Sequence, residues 1–209
     1  DRVAPVRHRS LLIDAGASCA GYAADITRTY SGESGDFAAL LAGVDRVQRQ
    51  LVDGVRPGRD YRDLHLDCHR QLSALLIEAG VIRCGLDEAI AASLSSTFFP
   101  HGLGHLIGLQ VHDVAGFAAS EDGGRIERPE GHPFLRLTRP LAPGMAVTIE
   151  PGLYFIESLL ARLRASDHAR HIDWTRVDAL APYGGIRIED DVVCTEADPE
   201  NLSRDAFAA

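Results

Sequence analysis

The chain has 209 residues, of which 45% are hydrophobic, so it can bury one substantial core, and nothing in it indicates a second domain. Its formal net charge of -9 argues against a nucleic-acid partner, because surfaces that bind phosphate are basic. All 21 residues counted as Lys or Arg are Arg, and the absence of Lys excludes Schiff-base catalysis, a Walker lysine and Ser/Lys hydrolase chemistry.

The first predicted element is a hairpin over residues 10–30. An apolar run is followed by a small-residue turn at 19–21 and by a second run rich in strand-forming residues. If the hairpin closes around positions 19 and 20, Asp14 and Asp25 lie directly opposite each other, with Cβ atoms about 5 Å apart. Like charges placed in this way destabilise a sheet unless a cation lies between them, so the pair favours metal binding. The alternative is two solvent-facing aspartates.

Helical patterns follow the hairpin. Apolar residues between positions 37 and 51 recur at helix spacing, and this first helix is predicted to end at the Pro-Gly pair at 57–58. A second helix is predicted to begin near Asp60, which acts as its N-cap, and to end at Gly80. A short third helix is predicted over residues 86–96.

Three histidines lie within residues 101–112, in a segment that contains too many glycines for a regular helix and is predicted as a loop or strand edge. In His101-Gly-Leu-Gly-His105, and in His112 that follows, one imidazole could bind a metal and two could contact substrate. The spacing is not that of the helical His-Glu-x-x-His zinc motif, so a structural role stays open. The other histidines are interpreted as surface or packing residues: His8, His65, His69, His132, His168 and His171.

Two short strands are predicted over residues 145–150 and 185–193, each bounded by turn residues. Side chains alternate between the two faces of a strand, so Glu150 lies opposite the apolar residues of the first strand. The same alternation puts Arg187 and Glu189 together on one face of the second strand. Arg187 could bind an anionic substrate group with two hydrogen bonds, or it could simply pair with a neighbouring acid.

Four carboxylates and one imidazole stand in Gly- or Pro-punctuated apolar segments that are suited to aiming one polar side chain inward. They form a mostly hard-oxygen ligand set, which favours a pair of Mn, Co or Zn class cations over a structural thiolate zinc site. A two-metal site in turn indicates metal-assisted hydrolysis. The five candidate ligands are Asp14, Asp25, His105, Glu150 and Glu189.

The four cysteines show no Cys-x-x-Cys spacing, which favours buried reduced thiols without disulfides in a reducing compartment, the cytoplasm. Residues 89–110 lack charged side chains but contain Ser, Gly, Pro and two His, so we do not expect a membrane span, and no signal peptide is visible. Because the chain begins at Asp1 and soon reaches a strand-like run, we expect that upstream sequence has been removed. The cysteines are Cys19, Cys68, Cys84 and Cys194.

Together these motifs resemble the pita-bread metallopeptidases, the family of methionine aminopeptidase, aminopeptidase P, prolidase and creatinase. Within that family the chain is most similar to the bacterial Xaa-Pro dipeptidases, including those also called organophosphorus acid anhydrolases, because of residues 108–117 and 154–161. The family motifs occur in order as Asp14-Ala-Gly-Ala, Gly21-Tyr-Ala-Ala-Asp25-Ile-Thr-Arg-Thr, His101-Gly-Leu-Gly-His105, Thr148-Ile-Glu150-Pro-Gly and Gly185-Ile-Arg-Ile-Glu189-Asp.

The resemblance implies an α+β pita-bread (creatinase/aminopeptidase) fold, in which helices cover a curved, mostly antiparallel sheet. Residues 1–209 would be one catalytic domain that lacks its first part at the N-terminus and the N-terminal domain that these enzymes carry. The full-length protein would be a homodimer. Its partner would be an Xaa-Pro dipeptide substrate, with no role for nucleic acid or a membrane.

The resemblance also implies roles for the site residues. Asp25 and Glu189 would bridge two divalent ions, Asp14 would complete one and His105 with Glu150 the other. The ions would be Mn2+, with Co2+ or Zn2+ as alternatives, and would activate water against the carbonyl before proline. Glu150 and His112 would be catalytic, with Glu150 moving the proton to the leaving nitrogen. The substrate contacts would come from His101, His112 and Arg187.

Two alternative functions stay open. Aminopeptidase P, which takes longer Xaa-Pro peptides, is a rival of the same class, and a non-catalytic binding domain with this fold is a rival of another class. The second is disfavoured, because such relatives usually lose metal ligands and all five are present here. The dipeptidases also use a further His upstream of Asp14, and His8 lies too close to Asp14 to be assumed equivalent, so we do not expect dipeptidase activity from this chain alone.

Overall fold

A computed structural model describes residues 8–208 as helices combined with short strands, and every strand pairing in this part of the chain is antiparallel. The expected α+β class is thereby confirmed. The first seven residues and Ala209, which fall in the predicted domain, lie outside the described residues. No helix between residues 8 and 208 is long and apolar enough to span a membrane.

The elements follow one another in a mixed order. The strands are β1 (Ser10–Ala15), β2 (Ser18–Cys19), β3 (Tyr22–Ala23), β4 (Ile26–Ser31), β5 (Ala118–Ser120), β6 (Gly123–Arg125), β7 (Ala146–Ile149), β8 (Gly152–Tyr154), β9 (Gly185–Arg187), β10 (Asp190–Val193) and β11 (Glu200–Asn201). The helices are α1 (Asp36–Asp53), α2 (Tyr61–Glu78), α3 (Leu86–Ala91), α4 (Ser95–Phe98), α5 (Glu157–Arg164), α6 (Trp174–Leu180) and α7 (Leu202–Ala208).

The hairpin near the start of the chain forms, but its register differs from the predicted one. β1 pairs with β4 so that Asp14 faces Thr27. The chain turns one residue later than expected, at Ala20 and Gly21, whose positive φ angles of 51° and 87° suit a two-residue hairpin turn. Asp25 therefore lies in the irregular stretch before β4, and the prediction of two directly opposed aspartates is wrong.

A close backbone contact nevertheless folds this irregular stretch inward. A Cβ atom at Gly16 would lie 1.6 Å from the carbonyl oxygen of Ala24, so only glycine fits there. The Ala24 amide donates to the Ala17 carbonyl at 2.9 Å and holds the contact. As a result, the carboxylates of Asp14 and Asp25 come together without sharing a pair in the register.

The helices form where the apolar spacing predicted them, with shifted ends. α1 stops at Asp53 and is capped by Gly54, before the Pro-Gly pair. α2 begins after Asp60, whose side chain accepts from the backbone amide of Arg62, as an N-cap does. The third predicted helix is broken into α3 and α4, because Ser93 between them has a positive φ of 49°.

α1 and α2 pack against each other, and α1 also packs on β4, β7 and β9 to close the core. Gly43 of α1 allows this approach, since a Cβ atom there would lie 2.4 Å from Leu75 Cδ1. At the start of α2 the ring of Tyr61 is fully buried, and its hydroxyl donates to the Thr148 carbonyl at 2.7 Å. The helix layer is therefore tied directly to β7, which carries part of the candidate site.

The second predicted strand, residues 185–193, is divided by Ile188 and Glu189. β9 pairs with β8, whereas β10 pairs with β7 and β11. The predicted alternation persists across the break, because Ile186 and Ile188 are both buried in the core. Glu189 forms a bridge with Thr27 and so connects the hairpin to this part of the sheet.

All four cysteines are free thiols. Cys68 and Cys194 are buried and Cys84 is partly buried, in line with the expectation of reduced thiols in the interior. Cys19 is exposed, so the prediction is wrong there. Its position directly before the hairpin turn keeps its side chain out of the core.

Candidate metal centre

The five candidate ligands come from strand ends and the irregular backbone beside them. Asp14 stands near the end of β1, and Asp25 precedes β4. Glu150 follows β7 directly, and Glu189 lies in the break between β9 and β10. His105 lies in the loop ahead of β7, so residues far apart in the sequence meet around one end of the paired strands. We refer to these five residues as the carboxylate centre.

The loop that carries His105 runs alongside β7. The Thr148 amide donates to the His105 carbonyl at 2.9 Å, and the Glu150 amide donates to the Leu103 carbonyl at 2.8 Å. Gly104 permits this approach, because a Cβ atom there would lie 2.1 Å from the Thr148 oxygen. The glycines in this motif therefore bring His105 beside Glu150.

The carboxylate centre consists of two groups of three residues that share Glu189. One ligand atom each from Asp14, Asp25 and Glu189 lie within 4.8 Å of one another, and the same is true of His105, Glu150 and Glu189. His105 Nε2 also lies 3.6 Å from Asp25 Oδ2 and 3.6 Å from Glu150 Oε1. Asp25 and Glu189 thus reach both halves of the centre.

Hydrogen bonds orient three of the five side chains. His105 Nδ1 lies 3.0 Å from the Leu106 carbonyl, which leaves Nε2 directed toward the carboxylates. Thr27 donates its hydroxyl to Glu189 Oε2 at 2.5 Å, and Thr148 donates to Glu150 Oε1 at 3.3 Å. These hydroxyls hold the two carboxylates in one orientation, as contacts around metal ligands do.

The carboxylates of the centre repel one another. Burial, together with the charge of Glu189, raises the pKa of Glu150 well above its usual value. Burial, with the charges of Asp25 and Asp14, likewise raises the pKa of Glu189. The hydrogen bond from His105 lowers the pKa of Asp25 in spite of its burial. Without a cation, the centre therefore holds carboxyl groups that resist ionising together.

The residues present fit a pair of divalent ions. Glu189 is 2% exposed, and the side chains of Asp25 and Glu150 are each 15% exposed. These largely buried carboxylates nevertheless face one another. Oxygen donors with one imidazole suit Mn2+, Co2+ or Zn2+, and two groups with a common carboxylate suit two adjacent ions. The predicted ligands are all brought together; their role as ligands stays a prediction.

Arg187 adjoins the centre through several polar contacts. Its Nη2 pairs with Asp14, and its Nε lies 3.6 Å from Glu189 Oε2. Its Nη1 donates to the hydroxyl of Tyr154 at 2.9 Å. That hydroxyl also lies 3.0 Å from His101 Nε2, so the half-buried phenol links two predicted substrate-binding residues. Sequence reasoning missed Tyr154, although it ends a short strand directly after the Glu150 motif.

The predicted substrate-binding residues line a cavity of about 1110 Å³ that also contains the carboxylate centre. His101 and Arg187 lie in its wall. His112 is exposed at the rim, with its ring 4.3 Å from that of His105. A cavity of this size with polar side chains on one wall can hold a dipeptide or a somewhat larger molecule.

Two acids beyond Glu189 also support the site. The Asp25 amide donates to Asp191 Oδ2 at 3.0 Å. Asp190 is fully buried and accepts hydrogen bonds from Arg28, Gln48, Asn201 and Arg204. Sequence reasoning did not predict this supporting role for the two acids. Their position directly after Glu189 in a buried strand was the available signal.

Comparison with known proteins places the chain among peptidases. The model of metallopeptidase family M24 matches residues 4–196. The chain is 60% identical over 209 residues to an Xaa-Pro dipeptidase of Xanthomonas campestris pv. campestris (strain 8004), covering 100% of this chain and 47% of the relative. The identity and coverage are the same for an Xaa-Pro dipeptidase of Stenotrophomonas maltophilia (strain K279a). The chain thus spans about half the length of the curated relatives it matches.

Solved structures show the same likeness. Proline aminopeptidase P II from Yersinia pestis is 32% identical with a TM-score of 0.69, covering 94% of this chain and 38% of that one. Pseudomonas aeruginosa aminopeptidase PepP is 32% identical with a TM-score of 0.71, covering 93% of this chain and 38% of that one. The likeness to both structures therefore extends over nearly the whole chain.

Proposed function

The chain belongs to metallopeptidase family M24, and we propose that the whole protein hydrolyses Xaa-Pro dipeptides at the carboxylate centre. The observation that carries this proposal is the pair of three-residue groups that share Glu189 within one large cavity. The family match and the likeness to aminopeptidase P structures confirm the pita-bread fold expected from the sequence. The 60% identity to Xaa-Pro dipeptidases confirms the resemblance to that branch.

In this proposal the five ligands hold two divalent ions. Asp14 would complete one ion and His105 with Glu150 the other, and Asp25 and Glu189 would contribute to both. Mn2+ is the first candidate for both positions, with Co2+ or Zn2+ as alternatives. When bound, two such ions supply polarisation of the amide carbonyl and a nucleophile at neutral pH.

Glu150 is proposed to move the proton. Its carboxyl is oriented by Thr148, and Oε2 lies 3.8 Å from His101 Nδ1 at the cavity wall. An ionised carboxylate at this position can take the proton of the attacking water as a general base. Transfer of that proton to the proline nitrogen completes cleavage of the C–N bond.

The substrate contacts are proposed to come from His101, His112 and Arg187. Arg187 offers a planar guanidinium at the cavity wall, which suits the carboxylate of a C-terminal proline. His101 and His112 flank Glu150 and His105, so they can donate to the substrate carbonyl as negative charge develops on its oxygen. The His112 assignment as a catalytic residue belongs to this proposal too.

The Xaa-Pro bond explains the need for such a site. Its tertiary amide has no N–H, and the proline ring restricts the residue before it. A site that binds both the amino acid before proline and the proline carboxylate would select dipeptides. Dipeptidase activity is favoured over aminopeptidase P activity, because the identity to dipeptidases is 60% and that to the aminopeptidase P structures is 32%.

The test combines metal analysis with an activity assay on one Mn-loaded sample of the whole protein. We expect two Mn ions per chain, and release of proline from an Xaa-Pro dipeptide faster than cleavage of Xaa-Pro-Yaa. Glu189→Gln should lose metal and activity, whereas Glu157→Gln, an exposed acid outside the site, should lose neither. Preferential cleavage of Xaa-Pro-Yaa would contradict the dipeptidase proposal, and the absence of bound metal would contradict the centre itself.

Other expectations stay predictions. We propose that residues 1–209 belong to one catalytic domain and that the whole protein is a cytoplasmic homodimer without a nucleic-acid or membrane partner. The formal charge of -9 and the family likeness support these statements. Gel filtration of the whole protein would test the homodimer, and subcellular fractionation would test the cytoplasmic location.

A further inference from the structure

We propose that His65, His69 and His132 form a second metal site, built from imidazoles alone and separate from the carboxylate centre, which binds Zn2+. We call these residues the histidine cluster. None of them belongs to the carboxylate centre, and the sequence interpretation assigned all three to surface or packing. The proposal goes beyond the peptidase activity and does not depend on it.

The fold brings the three rings together from two parts of the chain. His65 and His69 lie one turn apart on α2, and His132 comes from the loop after β6. The ring centres form a nearly equilateral triangle, with separations of 4.7 Å, 4.7 Å and 4.6 Å. Three imidazoles that share a zinc ion at about 2.0–2.1 Å have ring centres about 5 Å apart. Small side-chain rotations would therefore suffice for ligation.

One nitrogen from each ring is available at the centre of the cluster. These atoms lie within 4.8 Å of one another. His65 Nε2 lies 2.9 Å from His132 Nδ1, so the two rings already share one proton between ligand atoms. His69 Nδ1 lies 2.9 Å from Ser95 Oγ, which fixes the ring and leaves Nε2 for a metal.

Two buried nitrogens of the cluster lack partners. His69 Nε2 and His65 Nδ1 are inaccessible and have no hydrogen-bond partner among residues 8–208. An unpartnered buried polar atom destabilises the fold, and most buried polar groups in folded proteins have a hydrogen-bond partner. A metal ion bound to His69 Nε2 would remove part of this cost.

The cluster is also in the protonation state that a metal requires. Burial and the charges of the neighbouring rings lower the pKa of His65 to about 2. Burial and the His132 charge lower the pKa of His69 to about 3. Both rings are therefore neutral at physiological pH, so metal binding needs only the proton between His65 and His132 to move to the opposite nitrogen of its ring.

A cavity of about 180 Å³ opens beside the cluster and leaves room for a fourth ligand such as water. Its wall includes His101 and Phe134, which also line the larger cavity of the carboxylate centre. The ring of Phe99 lies 5.0 Å from that of His69 and 4.7 Å from that of His101. The proposed zinc ion would thus stand next to the substrate cavity without contacting the five carboxylate-centre residues.

The two sites differ in the ions they prefer. Imidazole nitrogens bind Zn2+ much better than Mn2+, whereas carboxylate oxygens accept both. Zinc-saturated protein should therefore hold one zinc ion more than a variant that lacks the histidine cluster. His132→Asn is the best variant, because His132 is only partly buried and lies in a loop.

The experiment is elemental analysis of zinc-saturated, desalted protein, with circular dichroism to verify folding. Wild type should carry one more zinc ion per chain than His132→Asn, and Ser95→Ala should bind that ion about 10–100-fold more weakly. His168→Asn, an exposed histidine outside the cluster, should match wild type. Equal zinc content in wild type and folded His132→Asn would overturn the proposal.

X-ray absorption at the zinc edge gives a second readout that needs no cluster variant. Glu189→Gln disables the proposed carboxylate centre, so its remaining zinc should show scattering from about three imidazoles. A spectrum without imidazole scattering, or no zinc bound, would contradict the second site. If Glu189→Gln lost all its zinc while His132→Asn bound as much as wild type, the second site would be refuted and the carboxylate centre would be supported, so the two failures are distinguishable.

Discussion

The backbone amide of Asp25 donates a hydrogen bond to Asp191 Oδ2 at 3.0 Å, across 166 positions of the sequence. Asp191 is 5% exposed, and its Oδ1 has no hydrogen-bond partner within residues 8–208. Burial raises the pKa of Asp191 to about 6, with a further contribution from the Asp25 charge. Asp191 therefore positions the irregular segment that carries Asp25, although it is not itself a predicted ligand.

Removing this support should weaken metal binding. Asp191→Ala takes away the acceptor for the Asp25 amide, and loss of such supporting contacts lowers metal affinity about 10–100-fold. Asp191→Asn keeps an acceptor oxygen and should stay close to wild type. Calorimetric titration of the metal-free protein with Mn2+ checks both variants. Equal affinity for Asp191→Ala and wild type would show that Asp25 is fixed by other contacts.

Chelation should destabilise the fold. Asp14, Asp25 and Glu189 converge, so removal of the ions leaves their charges without compensation. Ligand held at 100 times its dissociation constant contributes about 2.7 kcal/mol of stability. A chelator should therefore lower the melting temperature of Mn-loaded protein by several degrees, as measured by scanning calorimetry. Glu189→Gln should show a much smaller shift, and an unchanged wild-type melting temperature would argue against bound ions.

The sequence predicted that the five candidate ligands come together, because each one stands in a local motif of glycines, prolines and strand residues. His105 and Glu150 illustrate this, since adjacent glycines and a short strand were enough to indicate inward-facing polar groups. The hairpin register could not be predicted in the same way. It depends on Ala20 adopting a positive φ of 51°, which the sequence does not signal for alanine.

Other features depend on contacts that only the fold creates. His65 and His69 have the spacing of one helical turn, which does not by itself indicate a metal site. They form a cluster only because the fold brings His132 from a distant loop into contact with both rings. In the sequence Tyr154 looks like an ordinary strand residue, because only the fold places its hydroxyl between Arg187 and His101. The third helix, broken at Ser93, likewise depends on a local conformation that apolar spacing does not encode.

Tyr154→Phe should reduce activity without removing metal. The hydroxyl contacts both Arg187 and His101, and its loss frees two side chains proposed to bind substrate. We expect kcat/KM for an Xaa-Pro dipeptide to fall about tenfold, which corresponds to about 1.4 kcal/mol. Metal content should not change. Tyr30→Phe, at a tyrosine that is 56% exposed, is the matched control and should behave like wild type.

Arg187→Lys should reduce the preference for a free proline carboxylate. Lysine keeps the positive charge but cannot present two parallel donors, so the carboxylate would be held less well. The ratio of kcat/KM for Xaa-Pro over its C-terminal amide should fall severalfold, while metal content, measured in parallel because Arg187 also pairs with Asp14, should persist. An unchanged ratio would move carboxylate recognition to another residue.

The N-cap at Asp60 provides a pH-dependent contribution to stability that is separate from the metal centre. Hydrogen bonds from the Arg62 side chain and amide outweigh burial and lower the pKa of Asp60 from its ordinary 3.8. Its stabilisation is therefore complete above about pH 4 and is lost as the pH falls through the lower pKa of the folded state. Asp60→Ala should cost about 1 kcal/mol at pH 7 and less at pH 3, as measured by urea unfolding. Asp60→Asn keeps the cap acceptor without the charge, so at pH 7 its stability should lie between those of Asp60→Ala and wild type. A cost for Asp60→Ala that does not shrink at low pH would show that the charge of Asp60 contributes nothing to the cap.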